Sequence, residues 1–125
     1  MSKVIVDEIQ TDTTNGNVRV IPNGTGALEV KGAGGDDAIL QLNCSAQSHG
    51  VKLKTPNNTA GQNYTMILPD NQIAANKLLK VKSVTGSGAS AVGQLEYADV
   101  PSQSLANLNA SNLTSGTVPA AQVPS

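Results

Sequence analysis

Four short apolar runs, Ala27–Lys31, Ala38–Leu42, Val51–Lys54 and Tyr64–Leu68, dominate the middle of the chain. Gly, Asp, Asn, Ser or Pro separates each run from the next, and the runs start about 11–13 residues apart. The last three alternate apolar and polar positions with a period of two, or nearly so. That period puts one row of side chains on each face of a strand, so the pattern predicts half-buried strands punctuated by turns. In Ile39–Cys44, Leu40, Leu42 and Cys44 share a face, and Gln41 and Asn43 share the other. In Val51–Lys54, Val51 and Leu53 face one way.

The flanks extend the pattern. Ser2–Gln10 reads as a strand with Val4 and Val6 on one face and Ile5 and Ile9 on the other, as suits a segment clamped between partners. Asn15-Gly16 is a turn signal, and Val18–Ile21 reads as a strand stopped by Pro22-Asn23-Gly24. The residues Ile73–Lys82 fit either a short helical stripe or an alternating strand. A turn over Asn71–Asn76 followed by a strand over Lys77–Val84 is the preferred reading, with Ala91–Tyr97 as the last strand. Leu95 and Tyr97 occupy its inner face.

From Pro101 the character changes. Residues 102–125 carry no charge and are rich in Ala, Ser, Asn and Pro. Leu108, Leu113, Val118 and Val123 recur every five residues. This spacing suits an extended stalk offering one apolar contact per repeat to neighbouring chains, against the simpler alternative of a flexible linker.

Composition sharpens the problem these strands face. The 125 residues contain two tyrosines, no Phe and no Trp. Aromatic side chains normally dominate core energetics, so a core here must come from Val, Leu, Ile and Ala. Ordering the backbone still costs roughly 1–2 kcal/mol per residue. The β alternation argues against wholesale disorder and for apolar faces buried against other chains, as in an obligate oligomer. A formal net charge of −1 argues against a nucleic-acid-binding module. One cysteine, Cys44, excludes an internal disulfide framework. No apolar run approaches the roughly 20 residues of a membrane-spanning helix, and the first residues lack the apolar stretch of a signal peptide. Assembly in a cytoplasm is therefore expected.

Four stretches resemble a known group: DDAILQLNCS and SHGVKLKTP within 36–56, YTMILP at 64–69, ANKLLKVKSV at 75–84 and LNASNLTSGTVP at 108–119. They are similar to tail-fibre and other fibre-like virion proteins of marine tailed bacteriophages, especially those infecting cyanobacteria. The resemblance covers most of the chain. It implies an all-β, elongated homotrimer of short strands with an intertwined or shared core and an extended C-terminal stalk or linker. It also implies the N-terminal, virion-proximal part of a longer fibre. Residues 1–17 would then form a virion-anchoring strand and linker, with Val4, Ile5, Val6 and Ile9 as anchoring residues. Residues 18–100 would be the trimerisation domain, with Val18, Val20, Leu40, Leu42, Val51, Leu53, Ile67, Leu79, Val81 and Leu95 in the shared core. Residues 101–125 would be the stalk, with Leu108, Leu113, Val118 and Val123 as contacts. The implied partners are two further copies, other virion proteins of the tail, portal-adaptor region or capsid, and a host surface receptor reached through a distal region. The implied location is the virion, with neither nucleic-acid binding nor membrane insertion. A capsid decoration or head-fibre adhesin binding a host glycan or protein is the alternative.

Catalytic chemistry finds little support in the residues. Cys44 and His49 lie five apart across a polar loop, and a Cys/His pair needs a third orienting group. A half-buried Cys and a loop His are the simpler reading. His49 is the only histidine, so a His-based metal site would need three copies meeting on a threefold axis. Asp36-Asp37 lacks the ligand series of a calcium loop, and Gly32–Gly35 lacks the Lys-Ser/Thr of a phosphate-binding loop. Glu29 with Asp36, or Glu96 with Asp99, would pair carboxylates, but a sugar-cleaving groove without stacking aromatics is disfavoured. No catalytic residue, cofactor or metal is therefore expected.

Overall fold

The computed structural model describes residues 1–100. It contains five strands: β1 (Ile39–Asn43), β2 (Gly50–Lys54), β3 (Thr65–Ile67), β4 (Leu78–Thr85) and β5 (Val92–Ala98). Single 3-10 turns occupy Asn58–Ala60 and Gly88–Ser90. The chain divides into two units between Ala60 and Gly61. The boundary falls inside the stretch 18–100 that the sequence pattern presents as one β-rich block.

In the first unit, β1 and β2 form an antiparallel hairpin with Leu40 opposite Leu53 and Leu42 opposite Val51. These four side chains lie on one face, because strand residues alternate sides. The opposite face carries Gln41 with Lys52, Asn43 with Gly50, and Ile39 with Lys54. The hairpin closes through a turn in which the Gln47 N–H donates to the Cys44 carbonyl at 2.9 Å, with Gln47 at φ 61°. A further rung joins the Cys44 N–H to the His49 carbonyl at 2.9 Å.

Gly50 sits under two side-chain amides that approach it closely. A Cβ there would lie 2.5 Å from Asn43 Oδ1 and 2.6 Å from Gln41 Nε2. Those two amides are bonded to each other at 2.7 Å, and Asn43 donates onward to Gln47 Oε1 at 3.3 Å. The amide chain runs across the polar face of the hairpin, over position 50.

The expected strands at Ser2–Gln10, Val18–Ile21 and Ala27–Lys31 do not form within the chain. Residues 1–38 hold turns and segments outside any ladder, with turns closed by Gly16 N–H to Thr13 O (3.0 Å) and Asp36 N–H to Ala33 O (2.8 Å). The turn signals were read where the turns occur, and Asn15 adopts φ 62°. A strand needs a partner for its N–H and C=O groups as well as an alternating sequence. Among the described residues there is none here.

In the second unit, β5 is the central strand of a three-stranded sheet of order β3-β5-β4. It runs parallel to β3 and antiparallel to β4. The expected strand over Lys77–Val84 is present as β4, preceded by Asn76 at φ 64°. The register places Leu79 opposite Tyr97 and Val81 opposite Leu95, then slips between Val81 and Ser83. This irregularity returns Val84, opposite Gly93, to the face of Val81 and Leu95. Unbroken alternation would have put it on the other face.

Burial marks the sharpest departure from an ordinary domain. Among the described residues, Leu95 is the one buried hydrophobic, at 6 % exposure. Val18, Val20, Leu40, Leu42, Val51, Leu53, Ile67, Leu79 and Val81, assigned from sequence to a core, are all exposed in the single chain. A two-stranded hairpin and a three-stranded sheet each leave their faces open unless a further layer covers them.

Candidate functional site

The most prominent surface is the apolar face of the β1–β2 hairpin. Leu40 is 50 % exposed, Leu42 61 %, Val51 74 % and Leu53 65 %. Both strands contribute, so the face is a continuous patch of aliphatic side chains two residues wide. Monomeric proteins seldom leave such contiguous patches open without a use for them. The opposite face is polar through Lys52, Lys54 and the amide chain, and Lys54 lies 3.8 Å from Asp37.

The sheet of the second unit repeats the theme. Leu79, Val81, Val84 and Met66 share the face of Leu95 and are themselves exposed. On the reverse face Lys80 sits opposite Glu96 at 3.5 Å. Lys77 meets Asp99 at 2.7 Å, and Lys82, at the irregularity, reaches Asp70 at 3.1 Å. Charged lysines on an outer strand discourage indiscriminate edge pairing, and the register shift adds to that effect. The apolar face carries no such deterrent.

The N-terminal segment presents Val4, Ile5, Val6 and Ile9 to solvent, with Val4 87 % and Ile5 90 % exposed. The expected stalk contacts Leu108, Leu113, Val118 and Val123 lie outside the described residues.

The polar candidates resolve into structural pairs. Glu29 is 3.9 Å from Lys31, Glu96 faces Lys80 of β4, and Asp99 meets Lys77 just before that strand. Donation from the Lys77 ammonium, and then its charge, hold the Asp99 carboxyl below its ordinary value. Among the described residues, no three His, Cys, Asp or Glu side chains come together as a metal site.

Ser48 bridges the side chains of Cys44 and His49. The Cys44 Sγ lies 3.7 Å from Ser48 Oγ, which lies 2.9 Å from His49 Nδ1. Cys44 is exposed rather than half-buried. The Ser48 hydroxyl, followed by the backbone at His49 and Ser48, lowers its thiol to about 6. Ser48 thus stands between thiol and imidazole in the hydrogen bonds of this turn. Sequence reading missed Ser48, whose hydroxyl bridges thiol and imidazole, and Gly50, whose missing side chain leaves space for the amides of Gln41 and Asn43.

No helix among the described residues is long and apolar enough to cross a membrane. Comparison with known proteins found no matching family model, no matching curated protein and no matching solved structure.

Proposed function

We propose that this chain is a structural component of a tailed-phage virion. It acts as the N-terminal part of a homotrimeric tail fibre that attaches the fibre to the tail or portal region and supports adsorption to the host. The observation that carries the oligomeric part is the burial pattern: β strands with regular apolar faces, and Leu95 as the single buried hydrophobic among the described residues. Burying one Val, Leu or Ile side chain contributes about 1.5–3 kcal/mol, so a single such residue falls far short of the cost of ordering the backbone. Association of identical chains would convert the exposed faces into a shared core holding Val18, Val20, Leu40, Leu42, Val51, Leu53, Ile67, Leu79, Val81 and Leu95. The resemblance of residues 36–56, 64–69, 75–84 and 108–119 to phage fibre-like proteins supports the virion role and the trimer. Val4, Ile5, Val6 and Ile9 serve as the anchor to the virion, since an exposed apolar segment of extended sequence is suited to strand addition. The five-residue spacing of Leu108, Leu113, Val118 and Val123, which lie outside the described residues, supports a stalk role for residues 101–125. The role is mechanical, with no reaction assigned to the chain.

Two measurements test this. Sedimentation equilibrium of the purified chain should give three chain masses, and a well-folded monomer at all concentrations would overturn the trimer. Deleting residues 2–10 should leave trimers intact and remove the protein from purified particles. Normal copy number in such particles would overturn the anchor. Gold labelling on the capsid instead of the tail would reassign the protein to a head fibre or decoration.

A further inference from the structure

We propose that the apolar face of the β1–β2 hairpin is a contact between copies of this chain, packing Leu40, Leu42, Val51 and Leu53 against the same residues of neighbouring copies. This deepens the assembly reading and rests on it, by naming one surface at which assembly occurs.

Three features of the hairpin select a second copy as the occupant. First, a hairpin of two strands is at best marginal in water, and three or more strands or a covering layer are needed for independent stability. Every residue of β1 and β2 other than Gly50 is exposed. The cover must therefore be present whenever the hairpin is ordered. A transient partner does not meet that condition, whereas another copy is present wherever the chain is made.

Second, the chemistry is self-complementary. The face presents two aliphatic cross-strand pairs, Leu40–Leu53 and Leu42–Val51, and no charge. Two identical faces meet without like-charge repulsion. The reverse face would set Lys52 and Lys54 against their own copies, an arrangement that costs stability.

Third, the patch has a defined end. Beyond Leu42 and Val51, alternation puts Cys44 and His49 on the same face, joined by the rung from the Cys44 N–H to the His49 carbonyl. A recess there is lined by Leu42, Asn43, Cys44, His49, Gly50 and Val51. Leu42 and Val51 make its apolar side, so it receives an apolar side chain from the facing copy. Cys44 therefore reports on whether the face is covered.

The test uses the full chain. N-ethylmaleimide labelling of wild-type Cys44 is followed across a dilution series, in parallel with sedimentation. Labelling at least ten times slower in the assembled protein than in the dissociated chain is the expected result. Leu53→Glu should dissociate the assembly and restore fast labelling, while Lys52→Glu, on the reverse face, should leave both unchanged. If Leu53→Glu stays assembled and Cys44 of the wild type labels at one rate throughout, the hairpin is not a contact, although the trimer survives. A wild-type chain that is monomeric with a slow Cys44 would mean that the face is covered by the chain itself, and this proposal fails. A wild-type monomer with a fast Cys44 would remove both the proposal and the trimer. Should Leu53→Glu lose its β circular dichroism, the wild-type labelling series decides alone.

Discussion

The side-chain amide of Asn71 holds both backbone groups of Tyr97: Asn71 Nδ2 donates to the Tyr97 carbonyl at 2.8 Å, and the Tyr97 N–H donates to Asn71 Oδ1 at 3.0 Å. A carboxamide has the same donor and acceptor as a peptide group, so Asn71 stands in for a strand residue beside β5. It does so where β3 has already ended at Ile67. Gln94 bridges the gap between them by donating to the Leu68 carbonyl at 2.9 Å. Central strand β5 is thereby paired beyond the three residues of β3, although Pro69 interrupts that side.

Asn71→Ala removes both bonds and should destabilise the second unit by about 1–3 kcal/mol, the range for two net hydrogen bonds. Asn71→Asp keeps the acceptor for Tyr97 N–H but loses the donor, so its loss should be at least as large as that of a single bond. Urea unfolding at fixed protein concentration checks this. An Asn71→Ala midpoint equal to the wild type would show that water replaces the amide without loss.

Gly50→Ala tests the amide chain over the hairpin. The new methyl would meet Asn43 Oδ1 and Gln41 Nε2 well inside contact distance. Both amides end exposed, flexible side chains, so one rotates away and the cost should be that of the lost hydrogen bond between them, about 0.5–1.5 kcal/mol. Gln41→Ser removes the same bond, so combining it with Gly50→Ala should add little to the loss. Additive losses in the double variant, measured by thermal unfolding, would place the cost in the backbone instead.

The strands that pair within the chain were legible from alternation to within a residue or two at each end. Leu40, Leu42, Val51 and Leu53 fell on one face as their spacing requires. The helix-or-strand choice at Ile73–Lys82 resolved to a strand, with Asn76 supplying the left-handed turn. What the pattern could not provide was the partner. Val18 and Val20 alternate as well as Leu40 and Leu42 do, yet among the described residues no strand lies beside them. Alternation reports which face wants burial and is silent on which chain covers it. The register slip near Lys82 was hidden for a related reason: β-bulges follow from pairing and have no fixed residue signature. Of the candidate chemistry, the sequence identified Cys44, His49 and the carboxylates, but the lysines that meet Glu96 and Asp99 depend on the register of β4 against β5.

Asp99 offers a titration test of that register. The Lys77 ammonium donates to it at 2.7 Å and holds its carboxyl below the ordinary value of 3.8. A depressed folded-state value contributes stability that is present above the unfolded value and is lost as pH falls through the folded one. Lys77→Gln removes the charge and should raise the Asp99 titration toward 3.8, readable in the carboxyl carbon shifts by NMR. The stability difference between wild type and variant should then shrink on acidification below that value. An Asp99 midpoint indifferent to Lys77→Gln would mean that the exposed pair does not persist in solution.

Cys44 gives the most direct pH prediction. Hydrogen bonding from Ser48 first, and then the backbone at His49 and Ser48, lowers the thiol from 9.0 to about 6. The thiolate is the reactive form, so iodoacetamide alkylation of the dissociated chain should plateau above about pH 7 and fall about tenfold per unit well below pH 6. The linkage has the corresponding sign: a lowered thiol value stabilises the folded hairpin above the unfolded value, and that contribution is lost as pH falls through about 6. Ser48→Ala deletes the largest contributor and should move the alkylation midpoint upward, slowing the reaction at neutral pH severalfold. His49→Ala keeps the backbone contacts and should move the midpoint much less. Equal upward shifts in the two variants would assign the effect to the imidazole acting through Ser48. A wild-type midpoint near 9 would show that the turn carrying Ser48 does not hold its hydroxyl against the sulfur.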